Sequence, residues 1–398
     1  MIARYKQTLL KLFTQVQRIH ANPNGSHVDC LTVQETLIQK ITYVERQIRK
    51  KKEAIKNLKK HLGSQDTVHL NKEEAKRAKE KIDKYQFQID EYQELASRFR
   101  EVGDALAFSY INKWDIKPLV FKETAGALLG KKGARLERKI LRGAFATGHI
   151  ALLNDITNCL RYGDITLLKG GKFMILEAKS GKRWTERDQR QFDKTDNIFR
   201  YLQTDRTQKL YKIEGEFRRH ALHSQEIHYR NRMTELVSKA LADGNAVEEV
   251  ECGLFYMATT QFNPVILTTI NEKLKGQPIA ALVNQIGKNN AYYPIMLSIS
   301  NPEALYRFYT GELTIIVIVD TGVIEEKLKP LNLSFRLTLN NTDWMAEITN
   351  AQQHDNEFSF LKMSYMLWNR LYTEFLSLDW FLDEMINFVK LNPSAVEI

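Results

Sequence analysis

Apolar positions in the first hundred residues recur at helical spacing. Leu9, Leu10, Phe13, Val16 and Ile19 mark an amphipathic helix over the first 20 residues, and Asn22-Pro23-Asn24-Gly25-Ser26 ends it. A heptad pattern then runs through Leu37, Ile41, Val44, Ile48, Ile55, Leu58 and Leu62, with Lys51 in one seam position. The polar stretch Gly63-Ser64-Gln65-Asp66 interrupts it, and a second heptad follows at Ala75, Ala78, Ile82, Tyr85, Ile89, Tyr92, Ala96 and Phe99. Two arms of similar length around a short break predict an antiparallel helical hairpin. Each arm should reach about 40–50 Å at about 1.5 Å per residue. The same seams also suit a coiled-coil homodimer.

The period changes beyond Tyr110. A helix is predicted from Lys131 or Gly133 to Thr147, carried by Leu136, Ile140, Leu141 and Phe145. Strand-like runs follow at His149–Leu153 or Ile156–Leu160, then Asp164–Leu168 and Phe173–Lys179. A polar helix is expected from Glu186 to Tyr201, more charged helix up to Asp243, and a strand over Cys252–Ala258. Three further runs, Tyr293–Ile299, Leu313–Val319 and Leu333–Leu339, read as buried strands, and Phe358–Leu391 carries aromatics at helical spacing. The chain divides on this reading into a helical region (1–108), a central domain (109–260) and a mixed α/β region (261–398).

Charge sharpens the division. Residues 1–105 carry 21 basic and 14 acidic side chains (+7), residues 106–220 carry 24 and 13 (+11), and residues 221–398 carry 13 and 21 (−8). A polyanion partner should therefore meet the first 220 residues. The acidic C-terminal region suits protein contacts, including a regulatory partner. Arg49-Lys50-Lys51-Lys52, with Lys56, Lys59 and Lys60, reads either as a solvated helix face or as a phosphate-tracking arm. Cys30, Cys159 and Cys252 share no metal or disulfide spacing, which implies a reducing cytoplasm. Neither a signal peptide nor a membrane-spanning run is read, so no membrane partner is expected.

One segment concentrates chemistry. Gly170-Gly171 between two apolar runs predicts a tight hairpin turn. Centring the turn there sets Lys169 opposite Lys172, Leu168 opposite Phe173, and so on outward to Asp164 opposite Glu177. Lys179, two residues further on, points to the same face. Two carboxylates and a lysine thus converge at the end of an apolar hairpin. Hard oxygen ligands with open positions suit Mg²⁺ or Mn²⁺, and without a cation the acids would repel one another. The plain alternative is a salt bridge of Lys179 with Glu177 or Asp164.

Asp164, twelve intervening residues and then Glu177-Ala178-Lys179 resemble the PD-(D/E)xK, or restriction-endonuclease-like, nuclease superfamily. The resemblance spans roughly residues 131–258, with Gly163 where the pattern has proline. It implies a restriction-endonuclease-like α/β core between the helical hairpin and the C-terminal mixed α/β region. It implies that Asp164, Glu177 and the Ala178 carbonyl hold the metal, and that Lys179 orients or deprotonates the attacking water. Glu137, in the preceding helix, matches an acid that often reaches such a site. Lys182, Arg183, Arg187 and Arg190, beside Trp184, would line the phosphate path. Gln189 and Gln191 lack the following tyrosine of the RecB-like branch and read as helix-surface residues.

Other patterns carry less. Asp155 reads as a turn or cap residue, with a second acid near the site as the alternative. Asp320-Thr321-Gly322 has no second copy, and an aspartic-protease dyad needs two, so it reads as a turn closing a buried strand. His220, His223 and His228 are expected on the surface of a charged helix. Gly126 to Lys132 misses the P-loop spacing. The expected function is a Mg²⁺- or Mn²⁺-dependent nuclease acting on DNA, with anti-phage defence as its association by family. The alternative is a non-catalytic nucleic-acid-binding or scaffolding protein that uses the hairpin and the basic centre.

Overall fold

Helix α1 (Lys6–Ala21) forms because its apolar residues share one stripe, and Leu9, Leu12, Phe13, Val16 and Ile19 are buried along it. It stops where Pro23 can no longer donate to the helix and the Asn22 side chain accepts from the Gly25 backbone N–H. A computed structural model of the chain describes residues 2–63, 72–120, 126–131, 133–169, 172–178, 186–210, 213–261, 268, 270–286, 292–338, 344–350, 359–391 and 396–397. These fall into two compact units, 1–219 and 220–398. The helical region and the α/β segment after it therefore share one unit, and the boundary lies at 219/220 instead of 108/109 and 260/261. It coincides with the change in charge. Unit 1 holds 45 basic and 27 acidic side chains (+18), and unit 2 holds 13 and 21 (−8).

In unit 1, α2 (His27–Gly63) and α3 (Lys72–Tyr110) form the antiparallel hairpin. Leu37, Ile41 and Val44 are fully buried at its base, and Ile55 and Leu58 are half-buried towards the tip. The seam lysine is accommodated by an aromatic partner, since Lys51 Nζ lies 5.1 Å over the ring of Tyr85 on the opposite arm. After α4 (Lys113–Val120) come α5 (Ala134–Ala146) and an antiparallel meander, β1 (Ile150–Leu153), β2 (Ile165–Lys169) and β3 (Lys172–Leu176). The β2–β3 register runs from Lys169 opposite Lys172 to Ile165 opposite Leu176, as a turn centred on Gly170-Gly171 requires. Of the two candidates for β1, Ile150–Leu153 forms the strand, while Asn154–Ile156 forms a 3-10 turn.

Two contacts seat the meander on the hairpin. Gln34 of α2 is fully buried; its Nε2 donates to Ala151 O at 2.8 Å and its Oε1 accepts from Leu153 N at 2.9 Å. Gly103 of α3 lets the 3-10 turn approach, because a Cβ there would stand 2.1 Å from Ile156 O.

Helix α6 (Glu186–Thr204) follows, and then the structure departs from the sequence expectation. Residues expected to continue as charged helix form a separate two-stranded hairpin, β4 (Arg206–Leu210) with β5 (Ile213–Arg218). Charge density carries no period, and Asp205, at φ +57°, turns the chain out of α6. Among the described residues no fourth strand joins β1–β2–β3.

Unit 2 contains α7 (Arg230–Asp243) against an antiparallel sheet of order β6–β7–β9–β8: β6 (Asn245–Glu251), β7 (Leu254–Thr259), β8 (Pro278–Leu282) and β9 (Thr314–Asp320). The strand expected at Cys252–Ala258 is β7, in this sheet. A second sheet orders β10 (Leu333–Leu337), β11 (Trp344–Asn350), β12 (Ser359–Ser364) and β13 (Val396–Glu397), the last pair parallel. Tyr293–Ile299 is not a strand; Pro294 opens a 3-10 turn over Ile295–Leu297. The aromatic C-terminal stretch begins as β12 and becomes helical from Tyr365, burying Trp368, Tyr372, Phe375, Trp380 and Phe381. The chain is thus a mixed α/β protein with long N-terminal helices and several small, mainly antiparallel sheets. Among the described residues no helix is long and apolar enough to cross a membrane.

Gln34→Leu should keep the shape of α2 but strand a buried N–H and a buried carbonyl of β1. We expect a loss of about 1–3 kcal/mol for each group left unsatisfied, measurable as a lower urea midpoint of the full chain.

Candidate metal centre

The end of the β2–β3 hairpin positions the first acid. Asp164 precedes β2; its backbone N–H donates to Leu176 O at 2.8 Å, and its Oδ2 accepts from Ala178 N at 2.8 Å. Gly163 makes this junction possible. It sits at φ +67°, and an added Cβ would stand 2.3 Å from Ile175 Cγ2. Proline, with φ fixed near about −65°, cannot occupy that conformation.

Two more acids meet Asp164. Glu137 projects from the first turn of α5 and is 1% exposed, and Asp155 lies in the 3-10 turn after β1. All three surround one cation. Lys131 Nζ donates to Asp155 Oδ2 and to Asp164 Oδ1, each at 2.7 Å, and lies 3.0 Å from Glu137 Oε1. That Glu137 oxygen is buried and receives no well-directed hydrogen bond. Gly133 borders the same space: a Cβ there would stand 2.8 Å from Glu137 Oε1 and 3.8 Å from the Ala178 carbonyl oxygen.

Burial pushes the Glu137 carboxyl up, more than the Lys131 ammonium pulls it down. Burial lowers the Lys131 ammonium, and its pairing with Asp155, Asp164 and Glu137 more than reverses this, so the ammonium form is held.

The loop that delivers Lys131 is anchored to the helical hairpin. Glu45 of α2 accepts from Leu129 N at 2.8 Å and pairs with Arg100 of α3 at 2.7 Å. Arg100 also donates to Gly126 O and to Asp155 O, both at 3.3 Å. One arginine therefore fixes the start of the loop and the turn that carries Asp155.

The structure thus brings together Glu137 and Asp164, with the Ala178 backbone beside them. It adds Asp155, here both turn residue and cluster member, and Lys131, which the sequence pattern did not single out. Glu177 follows β3 and is exposed, outside the contacts of Lys131. Lys179, Lys182, Arg183 and Trp184 lie outside the described residues, as does the side chain of Arg187. Arg190 is an exposed residue of α6, donating to Glu186 O at 3.3 Å. Gln189 pairs with Asp193 on the same surface. Thiol chemistry has no support nearby: burial pushes the Cys30 thiol up to about 12 and the Cys159 thiol well above its ordinary value.

Unit 2 holds a second polar cluster. Glu226, His228 and Glu374 present ligand atoms within 4.8 Å of one another. Arg370 already neutralises them: its Nε donates to Glu374 Oε1 at 2.7 Å, and a terminal nitrogen pairs with Glu226. His228 is not helical as expected; it precedes α7, and its ring lies 3.1 Å from Glu374 O. Asp320 is also structural. It caps the helix after β9, accepting from Gly322 N and Gly276 N at 2.9 Å and from Lys275 N at 2.7 Å. Three backbone donors occupy that carboxylate, as a turn and cap residue requires.

No family model matches the chain, and no curated protein or solved structure matches it significantly.

Gly163→Pro, which restores the motif residue, should destabilise the chain more than Gly163→Ala, by about 3 kcal/mol or more against native; thermal unfolding of both variants checks the order. Arg370→Met should cost about 3–5 kcal/mol, because it removes the hydrogen-bonded guanidinium from a fully buried Glu374 and leaves Arg230, at 4.0 Å, as the more distant cation. Denaturant titration measures this.

Proposed function

We propose that the chain is a metal-dependent nuclease whose site is built by Asp164, Glu137, Asp155 and the Ala178 carbonyl, with Glu177 and Lys179 at the adjoining strand end. The observation that carries this reading is the convergence of three carboxylates on one cation position. The position lies at the end of a β-hairpin whose sequence resembles the PD-(D/E)xK pattern. A helix, a three-stranded antiparallel meander and a second helix follow one another in unit 1, but the further strand that the resemblance implies, at Cys252–Ala258, pairs instead in the sheet of unit 2.

The residues suit a hard divalent cation, Mg²⁺ or Mn²⁺. Every donor is an oxygen, three of them carboxylates, and Glu137 holds a buried oxygen without a directed hydrogen bond. When bound, such an ion polarises a phosphodiester and lowers the pKa of the attacking water.

The chain's own groups supply the rest. Asp164 is fixed by the Ala178 N–H, so its second oxygen keeps its aim. Glu137 is held by its burial against the meander. Lys179 orients the water and steadies charge on the phosphate. Lys182, Arg183, Arg187 and Arg190 hold the backbone of the nucleic acid, and the +18 of unit 1 attracts it. DNA is the substrate on this reading.

Purified chain should nick plasmid DNA with Mg²⁺ or Mn²⁺ and cease with EDTA. Asp164→Asn, Glu177→Gln and Lys179→Ala should each reduce cleavage by roughly 10²-fold or more while leaving salt-sensitive DNA binding in place. Cleavage that survives all three substitutions overturns the site. Binding without any cleavage favours the scaffolding alternative.

A further inference from the structure

The acids of the centre already hold a cation that belongs to the chain. Lys131 takes one oxygen from each of Glu137, Asp155 and Asp164, the same three oxygens that a divalent ion would use. Two cations cannot share those oxygens at bonding distance, because like charges that close repel strongly.

The means of exchange is also visible. The Lys131 side chain is 26% exposed. Its neighbour Gly130 sits at φ +84° with nothing near its Cβ position, and Gly133 lies two residues further on. The backbone before Lys131 is tied down through Leu129 and Gly126, so the side chain can swing towards solvent while the loop stays anchored. The Arg370 cluster of unit 2 makes the contrast. There the cation is 1% exposed and lies within a helix.

We infer that Lys131 is a tethered competitor of the divalent ion: it fills the acid cluster when metal is absent and leaves it when metal binds. The inference rests on the reading of this cluster as a metal centre. Its consequence is that the apo chain keeps its acids neutralised and folded. Metal affinity is then set by an exchange of cations instead of by filling an empty site.

The test is Mn²⁺ titration of the full chain by calorimetry, comparing wild type with Lys131→Met, which keeps the stem and removes the charge. Lys131→Met should bind Mn²⁺ at least about tenfold more tightly, and Asp164→Asn should abolish binding in both backgrounds. A second measurement uses the wild-type chain and needs no variant to fold. Acetylation of Lys131 by an activated ester, followed by peptide mass spectrometry, should accelerate several-fold when Mg²⁺ is added. The exposed Lys139 of α5 should not change.

Unchanged or weaker Mn²⁺ affinity in a folded Lys131→Met, or unchanged Lys131 acetylation, overturns the inference. If Asp164-dependent binding persists in that case, the metal-centre reading stands without it. If neither wild type nor Lys131→Met binds Mn²⁺, both fall together.

Discussion

Three carboxylates cannot crowd one end of a sheet without a positive charge among them, and much of unit 1 is arranged to supply it. Glu137 is almost wholly buried, so its charge needs Lys131 within reach. Lys131 is in reach because its loop is held by Glu45 and Arg100, which stand on opposite arms of the helical hairpin. The hairpin in turn is seated on the meander through Gln34 and the close approach at Gly103. Helices and sheet are thus joined by polar contacts, some of which lead to the acid cluster while others, such as those of Asp104 with Asn158 and Cys159, do not.

The Arg370 and Lys131 clusters follow different physics. Arg370 presents a planar guanidinium to two carboxylates and stacks over Tyr292 at 5.1 Å, the geometry of a fixed crosslink. Lys131 presents a compact ammonium on a flexible stem, and its contacts are distributed over three acids from three different elements.

The sequence disclosed those parts that rest on local rules. Heptad spacing defined the helical hairpin, Gly-Gly defined the β2–β3 register to the residue, and the reversal of charge near residue 220 fell at the boundary between the units. The part of Lys131 in the cluster was not legible, because it depends on a loop whose path is fixed by residues 84 and 26 positions away in the chain. Asp155 could be read as a turn residue, which it is, but its nearness to Asp164 comes from strand pairing. The β4–β5 hairpin was mistaken for helix because a charged sequence with weak periodicity leaves the backbone state to tertiary context. Gly163 marks the opposite case. Its positive backbone angle demands glycine.

Gln34 has one more consequence. By engaging Ala151 O and Leu153 N, it covers the backbone groups that the outer side of β1 would otherwise offer to another strand. A helix side chain closes that edge without adding a strand. Among the described residues no strand pairs with the other edge of β3, where Met174 is half exposed.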